Sequence, residues 1–535
     1  AANKAYVDSL VDGTASFNYD YEVTPEQYSA VGDRTATDTT PLTNALNALG
    51  SGGGTVKAHQ RYLTGSITMP THSNLKGAIL RPEQQTVGAQ YYAMNGQLSL
   101  TSGSTLTLGR GSTIDGMVIT RNGQTQAPTN DAGCTTLVSQ FTGTAVSAPQ
   151  AGSTIRNTLI VGHNLGVSAF GSGDHGRFYM ENVNIDCLTG VSINTDYDVI
   201  RLKNVHVWPF MTAHVTGVSN TNLLRAGVGF QFDVRADWAS ADDCFTYGNV
   251  KGFVIKDVSN VTLRRCQVDT ASSVHTTHGY HITGSAEYTR LDNCTSLGPA
   301  NAIVQDTTDS FAGTQVNQGL FVATNACFNI TDGDFYSTGS TLEGSSSGAR
   351  CTYGVYVGPN AGNVIINGAV LNHCTNGFYF DSSWAGYAII IAPQFNDVVT
   401  PFTIPTAVRD RVILIGCNPS DTPAWKTYTP TVTASSGTYT SVAAAGRYDA
   451  VGKTIHMTGN INITTNGTAA GAAQFTLPFT AGNTVYNGFG RDSAGNPLQV
   501  TIGSGATIGS ITSITNTYPG ADGRNLTFTI TYERA

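Results

Sequence analysis

A short signature, a small residue followed by apolar, any and apolar, returns through the middle of the chain at intervals too long for hairpins. It reads GVSA at Gly166, GVSI at Gly190, GFQF at Gly229, GFVI at Gly252, GYHI at Gly279, AIV at Ala302, GLFV at Gly319, GVYV at Gly354 and GFYF at Gly377. Successive anchors differ by 24, 39, 23, 27, 23, 17, 35 and 23 residues. With the 39 read as a coil of 23 carrying an insertion of roughly 16, and 17 plus 35 as two uneven coils, this is the period of a β-solenoid.

A second strand keeps register with the first: LKNV at Leu202, ADDC at Ala241, LRRC at Leu263, LDNC at Leu291, ITDG at Ile330 and INGA at Ile366. Cys244, Cys266 and Cys294 then share one slot of consecutive coils, where stacked small apolar side chains fill the tube. Asn204, Asp243, Arg265 and Asn293 share the slot before it, which reads as a turn that resets the strand alternation. One right-handed, single-stranded parallel β-helix over residues 79–416 is the expectation.

Ahead of it, YSAVGDRTATDTTPLTNALNALGSGGGTVKAHQRYLTGSITMP (28–70) holds a short helix. Leu42, Ala45, Leu46 and Leu49 fall on one face, Thr39 or Thr40 is the N-cap, Pro41 stands near the first turn and Gly50 stops it. Two turns cannot stand alone in water, and an open solenoid end exposes unpaired backbone, so residues 28–78 read as an N-terminal cap and entry. Asp33 and Asp38 read as turn and capping residues. Residues 1–27 read as a stem, and Pro419 and Pro423 mark a linker at 417–424. Beyond Trp425 the alternation has period two, with Ile455, Met457, Ile461 and Ile463 against His456, Thr458, Asn460 and Asn462. Residues 425–535 therefore read as an antiparallel β-sandwich for trimerisation or carbohydrate binding.

Composition narrows the partner. Charged residues are 12% of the chain, about half the roughly 25% usual for soluble domains. The net charge is −8 with no cluster of Lys or Arg, which argues against nucleic acid. The run YAIIIA from Tyr387 to Ala392 is far too short for membrane insertion, and no N-terminal run resembles a signal peptide. Nine Cys without CxxC or Cys/His spacing indicate buried thiols and no metal or other cofactor.

The 28–70 stretch resembles the start of pectate-lyase-like right-handed β-helix proteins, in particular bacteriophage tailspikes. Tyr28, Ala30 to Asp33, Asp38, Thr39, Gly53, Gly54, Val56 and Tyr62 carry the resemblance, while Arg34 stands where the pattern has Gly and His59 to Arg61 replace Pro-Ala-Gly. NKAYVDSLVDG at Asn3 resembles a tail-fibre segment, and VWPF at Val207 and DCFTYGNVKGF at Asp243 resemble central coils of tailspike depolymerases. WKTYTPTVTASSGTYT at Trp425 and GRYDAVGKTIHMTGNINITTNGTAAG at Gly446 resemble a module appended to phage tail proteins. The resemblance implies a homotrimer on the virion tail, attached to the tail or baseplate through a region preceding residue 1. It implies action outside the cell on a bacterial surface polysaccharide, whether capsule, exopolysaccharide or O-antigen.

Glycoside hydrolysis needs two carboxyls flanking one bond. The densest acidic and aromatic segment is GFQFDVRADWASADDCFTYG. Within it Asp237, Asp242 and Asp233 are the candidate acid and base, and Asp243 reads as a turn residue bonding its own backbone. Trp208, Trp238, Tyr247, Asp269, His278 and Arg235 are the candidate substrate contacts, and His275 reads as a turn residue. NTD at Asn194, DDC at Asp242 and THG at Thr277 resemble polygalacturonase motifs, but Asp196 and Asp242 fall in different slots of their coils. Arg235 beside a uronate leaves β-elimination as an alternative reaction, and a groove that binds without cutting leaves an adhesin.

Overall fold

In the computed structural model, which describes residues 21–78, 94–124, 128–171, 176–194, 199–308, 313–345, 349–417, 425–451 and 453–535, the glycine signature opens one strand of each coil. The segment at Asn3, the expected solenoid start at Ile79, Asp196, and the prolines Pro419 and Pro423 lie outside the described residues. The described residues form two compact units, one running to Pro405 without Ala388–Ile390, the other made of those three and Thr406–Ala535.

The first unit is a right-handed parallel β-solenoid, and the chain's solenoid has 14 turns. Its parallel ladders already begin at Glu22–Val23, which pairs with Gly54–Lys57, so the segment expected as a cap also contributes coils. Three ladders run through the central coils. The first passes Val191, Phe230, Phe253, Tyr280, Ile303, Phe328, Val355 and Phe378. The second passes Leu202, Ala241, Leu263, Leu291, Val316, Ser337 and Ile366. The third passes His206, Phe245, Gln267, Thr295, Leu320 and Thr341.

These ladders correct two assignments. Gly319 does not open a coil: it pairs with Cys294 and Ser340 at the corner between the second and third ladders. The coil opens at Cys327 instead, next to Phe328, so the steps from Ala302 to Cys327 and on to Gly354 are 25 and 27 residues, not 17 and 35. Ile330 likewise lies on the first ladder opposite Gln305, and Val316 and Ser337 hold the second-ladder slot. GLFV imitates the signature because its glycine fills a tight corner at φ +125°.

Packing explains why the true anchors are small. A Cβ on Gly190 would stand 2.5 Å from the carbonyl oxygen of Gly229, and one on Gly252 equally close to that of Gly279. Beside this column Phe230, Phe253 and Tyr280 stack with centroids 4.6 and 5.3 Å apart. Gly252→Ala is expected to lower stability by about 1–3 kcal/mol through overpacking. Gly52→Ala, with nothing within 4 Å, is expected to stay within about 0.5 kcal/mol of the parent. Chemical denaturation of the two variants checks this, and equal losses would sink the packing argument.

The opening helix spans Thr39–Asn47 and buries Leu42, Ala45 and Leu46 completely, packing on Pro25–Tyr28 and Ile67–Thr68. Its N-cap position is Asp38, ahead of the two threonines. The Asp38 carboxylate leaves the helix uncapped and accepts from the amides of Val31 and Gly32 at 2.7 and 3.1 Å, fixing the loop before it. Asp33 closes a turn through the amides of Thr35 and Ala36, and Arg34 sits at φ 68°, the conformation that favours glycine. A second helix, Asp131–Ser139, was not legible: Gly133, Thr135, Thr136 and Val138 are weak helix formers, and Asn130 caps it by accepting from Gly133 N.

All nine cysteines are buried and unpaired. No described helix is long and apolar enough to cross a membrane. In the second unit nine antiparallel strands between Lys426 and Glu533 form one continuous curled sheet, a half-barrel or sandwich. Ile455, Met457, Ile461, Ile463, Phe528 and Ile530 fill its core, on the period-two face read from the sequence.

Candidate functional site

The corner between the second and third ladders builds the site. Asn157, Asn182, Asn204, Asp243, Arg265 and Asn293 all adopt left-handed φ of 49–54° there, the conformation Asn and Asp tolerate best. The asparagines stack as an amide ladder, Asn204 donating to Asn182 at 2.8 Å and Asn182 to Asn157 at 3.3 Å. At the next two coils the ladder becomes ionic. Arg265 donates to both oxygens of Asp243, at 2.6 Å from Nε and 2.9 Å from Nη2, and its Nη2 also reaches Asp242 at 2.8 Å. The side-chain-to-backbone bond expected of Asp243 is thus replaced by an arginine clamp, which holds its carboxyl below the usual range.

Beside this clamp opens a cavity of about 510 Å³ lined by Asn204, His206, Trp208, Asp243, Phe245, Arg265 and Gln267. His206 meets Phe245 edge-on at 4.7 Å and Phe210 at 5.2 Å, and burial pushes its imidazole down to about 4, so it is neutral at physiological pH. Trp208 packs edge-on against Phe210 at 5.2 Å. Two residues beyond Phe245 and Gln267, on the same outward face, stand Tyr247 and Asp269, paired across neighbouring coils. Burial raises the carboxyl of Asp269, and burial followed by Asp269 itself raises the Tyr247 phenol.

An excursion over residues 208–224 carries Trp208 and is the insertion expected from the 39-residue step. It is pinned from below. Arg225, 2% exposed, donates from Nε to the fully buried Asp186 at 2.7 Å. Its Nη1 reaches the carbonyls of Asn222 and Leu224, and its Nη2 reaches Thr212 Oγ1. Asp186 completes the tie by accepting from Met211 N at 2.7 Å. Phe210 and Met211 join the buried cluster of Val118, Leu137, Phe141, Leu159 and Val161.

The remaining residues singled out from the sequence lie elsewhere. Asp233 ends a first-ladder strand, where it accepts from Gln231 Nε2 and Val234 N at 2.9 Å and faces Lys256 at 3.6 Å. Asp237 accepts from Ser259 N of the next coil at 2.7 Å. Arg235 and Trp238 occupy the same turn at φ 65° and 58°, with Trp238 62% exposed. His278 begins a first-ladder strand, and His275 lies 2.9 Å from the carbonyl of Arg225. Of these residues Trp208 lines the cavity, Tyr247 and Asp269 stand two residues past its lining residues Phe245 and Gln267, and Asp242 shares the arginine clamp, while Asp233, Arg235, Asp237 and Trp238 belong to the opposite end of the second-ladder strands. His206, Phe245, Arg265 and Gln267 were not singled out as site residues. Their shared signal is position, two residues past the corner for His206, Phe245 and Gln267, and the corner itself for Arg265. Among the described residues no group of three or more His, Cys, Asp and Glu forms a metal cage.

The geometry defines a right-handed β-solenoid similar in fold to that of a tailspike. Over their full lengths the chain and the Dettilon tailspike protein are similar, with 100% of each covered, a TM-score of 0.52 and 10% identity. The tailspike protein of E. coli bacteriophage HK620, solved as a mutant with a pentasaccharide, is 10% identical, with 96% of this chain and 94% of that chain covered at a TM-score of 0.47. The A-module of the Azotobacter vinelandii mannuronan C-5 epimerase AlgE6 is 12% identical, with 74% of this chain and 98% of that chain covered at 0.46. These likenesses are of fold. No protein-family model matches the chain, and no curated protein does.

Proposed function

We propose that the protein is a phage tailspike that binds a bacterial surface polysaccharide at the host surface and cleaves it by endo-glycosidic hydrolysis. The observation that carries this reading is a pair of carboxyls in opposite settings, Asp243 lining the aromatic cavity under the Arg265 clamp and Asp269 two residues past its lining residue Gln267. Burial favours the protonated form of Asp269, and Arg265 favours the ionised form of Asp243. Asp269 is the general acid that protonates the leaving oxygen. Asp243, sharing its arginine with Asp242, faces the charge that develops at the sugar ring and positions water. Trp208 and Tyr247 give the apolar faces on which sugar rings rest.

The separation of the Asp243 and Asp269 carboxyls around a bound oligosaccharide would distinguish inversion from retention. Asp233 and Asp237 enter this reading as turn residues. Asp237→Asn keeps an acceptor for Ser259 N and is expected to retain turnover, whereas Asp243→Asn is expected to lose about 10²-fold or more. Oligosaccharide release from a panel of capsules and O-antigens measures both. Binding without release would make the protein an adhesin, and a product absorbing in the ultraviolet would make it a lyase. Loss of turnover in Asp237→Asn with full activity in Asp243→Asn would move the chemistry to the other end of the strands.

A further inference from the structure

A second constellation lies on the first ladder, on a sheet the groove does not use. Lys251, His278 and Asn301 are consecutive partners there, and three residues further along the strands His281 pairs with Val254. His281 is 7% exposed, and its Nε2 lies 3.0 and 3.1 Å from the two oxygens of Asp306. That contact places the ring hydrogen on Nε2 and leaves Nδ1 as an acceptor, which Lys251 Nζ meets at 2.9 Å. The His278 ring lies 4.6 Å from the His281 ring, with its Nδ1 2.6 Å from Thr277 Oγ1. Asp332, on the following coil, has its carboxyl raised chiefly by burial.

Lys251 lacks the acidic partner that several neighbouring cations have. Lys203 meets Glu181, Lys256 meets Asp233 and Asp257, and Arg265 meets Asp242 and Asp243. Among the described residues no carboxylate lies within 4.0 Å of Lys251, whose partner is the His281 ring nitrogen Nδ1. A half-buried ammonium held by a single ring nitrogen has two donors to spare. Desolvating it is unfavourable unless an anion completes the site. His278 adds no competing charge, because burial above all holds it down to about 4.

We propose that Lys251, with His278 and the Asp306-oriented His281, is a receptor for the carboxylate of an acidic sugar, on the first-ladder sheet. The proposal rests on the reading of the protein as glycan-binding and adds the substrate class: a polysaccharide whose repeat carries a uronate or a pyruvate ketal. The ligand carboxylate accepts from the free hydrogens of the Lys251 ammonium, and Asn301 and His278 offer polar contacts to neighbouring hydroxyls. Asp306 acts indirectly, as a positioning residue that fixes the His281 tautomer.

Titration calorimetry on the full chain tests this with three probes: a glucuronate-containing oligosaccharide, its carboxyl-reduced form, and an oligosaccharide bearing a pyruvate ketal. An acidic probe is expected to bind at least tenfold tighter than the reduced one, and whichever acidic probe does so names the source of the carboxylate. Lys251→Gln is expected to erase the preference and Lys251→Arg to keep part of it. Saturation with the acidic probe is expected to raise the His278 titration from about 4, read by NMR, because a neighbouring anion favours imidazolium. Equal affinities, no binding of any probe, or a preference that survives Lys251→Gln would overturn the proposal. Reducing-end release from the polysaccharide panel, measured on the same variants, reports on the groove alone, so failure there is distinguishable from failure here.

Discussion

Asp269→Asn is expected to lower kcat by about 10²–10⁴-fold with little change in KM, while making the protein more resistant to heat at neutral pH. The two effects share a cause. Burial raises the Asp269 carboxyl, so the folded state holds that proton more tightly than the unfolded chain does. A raised folded value contributes stability that is complete below the unfolded value, near about 3.9, and lost as pH rises through the folded value. Above the folded value the ionised, partly desolvated carboxylate is therefore a liability that the neutral amide lacks. Asp243 runs the other way: Arg265 lowers it, and its contribution is present above the unfolded value and lost as pH falls through the folded one.

Two measurements separate catalysis from mere strain at Asp269. A pH–rate profile of the parent should fall on its alkaline side as the acid loses its proton, and thermal melts of Asp269→Asn and parent should converge toward pH 3. Parent-like turnover in Asp269→Asn would end the assignment of the acid, whatever the melts show.

How far the sequence reaches is visible in single residues. Gly190, Gly229, Gly252 and Gly279 could be read because steric contact with the next coil's carbonyl admits no side chain, and such contacts repeat at the coil period. Asn204, Asp243, Arg265 and Asn293 could be read because a left-handed corner selects short polar residues; the arginine is the exception that the clamp explains. Gly319 misled because a glycine serves equally at a strand entry and at a corner. The site was less legible. Asp233 and Asp237 are close to Asp242 in sequence, but a strand separates the two corners, and hydrogen-bond partners such as Ser259 belong to the next coil. Lys251, His281 and Asp306 come from three different coils, and no local pattern brings them together.

Asp186→Ala is expected to cost about 3–5 kcal/mol, the loss typical when one partner of a buried ion pair is removed. Arg225 would keep its charge at 2% exposure, and its other partners, two carbonyls and the Thr212 hydroxyl, are neutral acceptors unable to offset it. Met211 N would lose its acceptor as well. Both losses fall on the 208–224 excursion, so Trp208 should lose its fixed place against Phe210 and the groove should weaken with the fold. Denaturant unfolding measures the first effect, and tryptophan emission together with KM for oligosaccharide measures the second. The double change Asp186→Leu with Arg225→Met removes both charges and is expected to recover part of the stability, because hydrophobic replacement of a buried pair is often neutral. It is not expected to recover KM, since the ties from Arg225 to Asn222, Leu224 and Thr212 are gone. A single Asp186→Ala variant with parental stability would mean that water reaches Arg225 and that the excursion is held by Phe210 and Met211 alone.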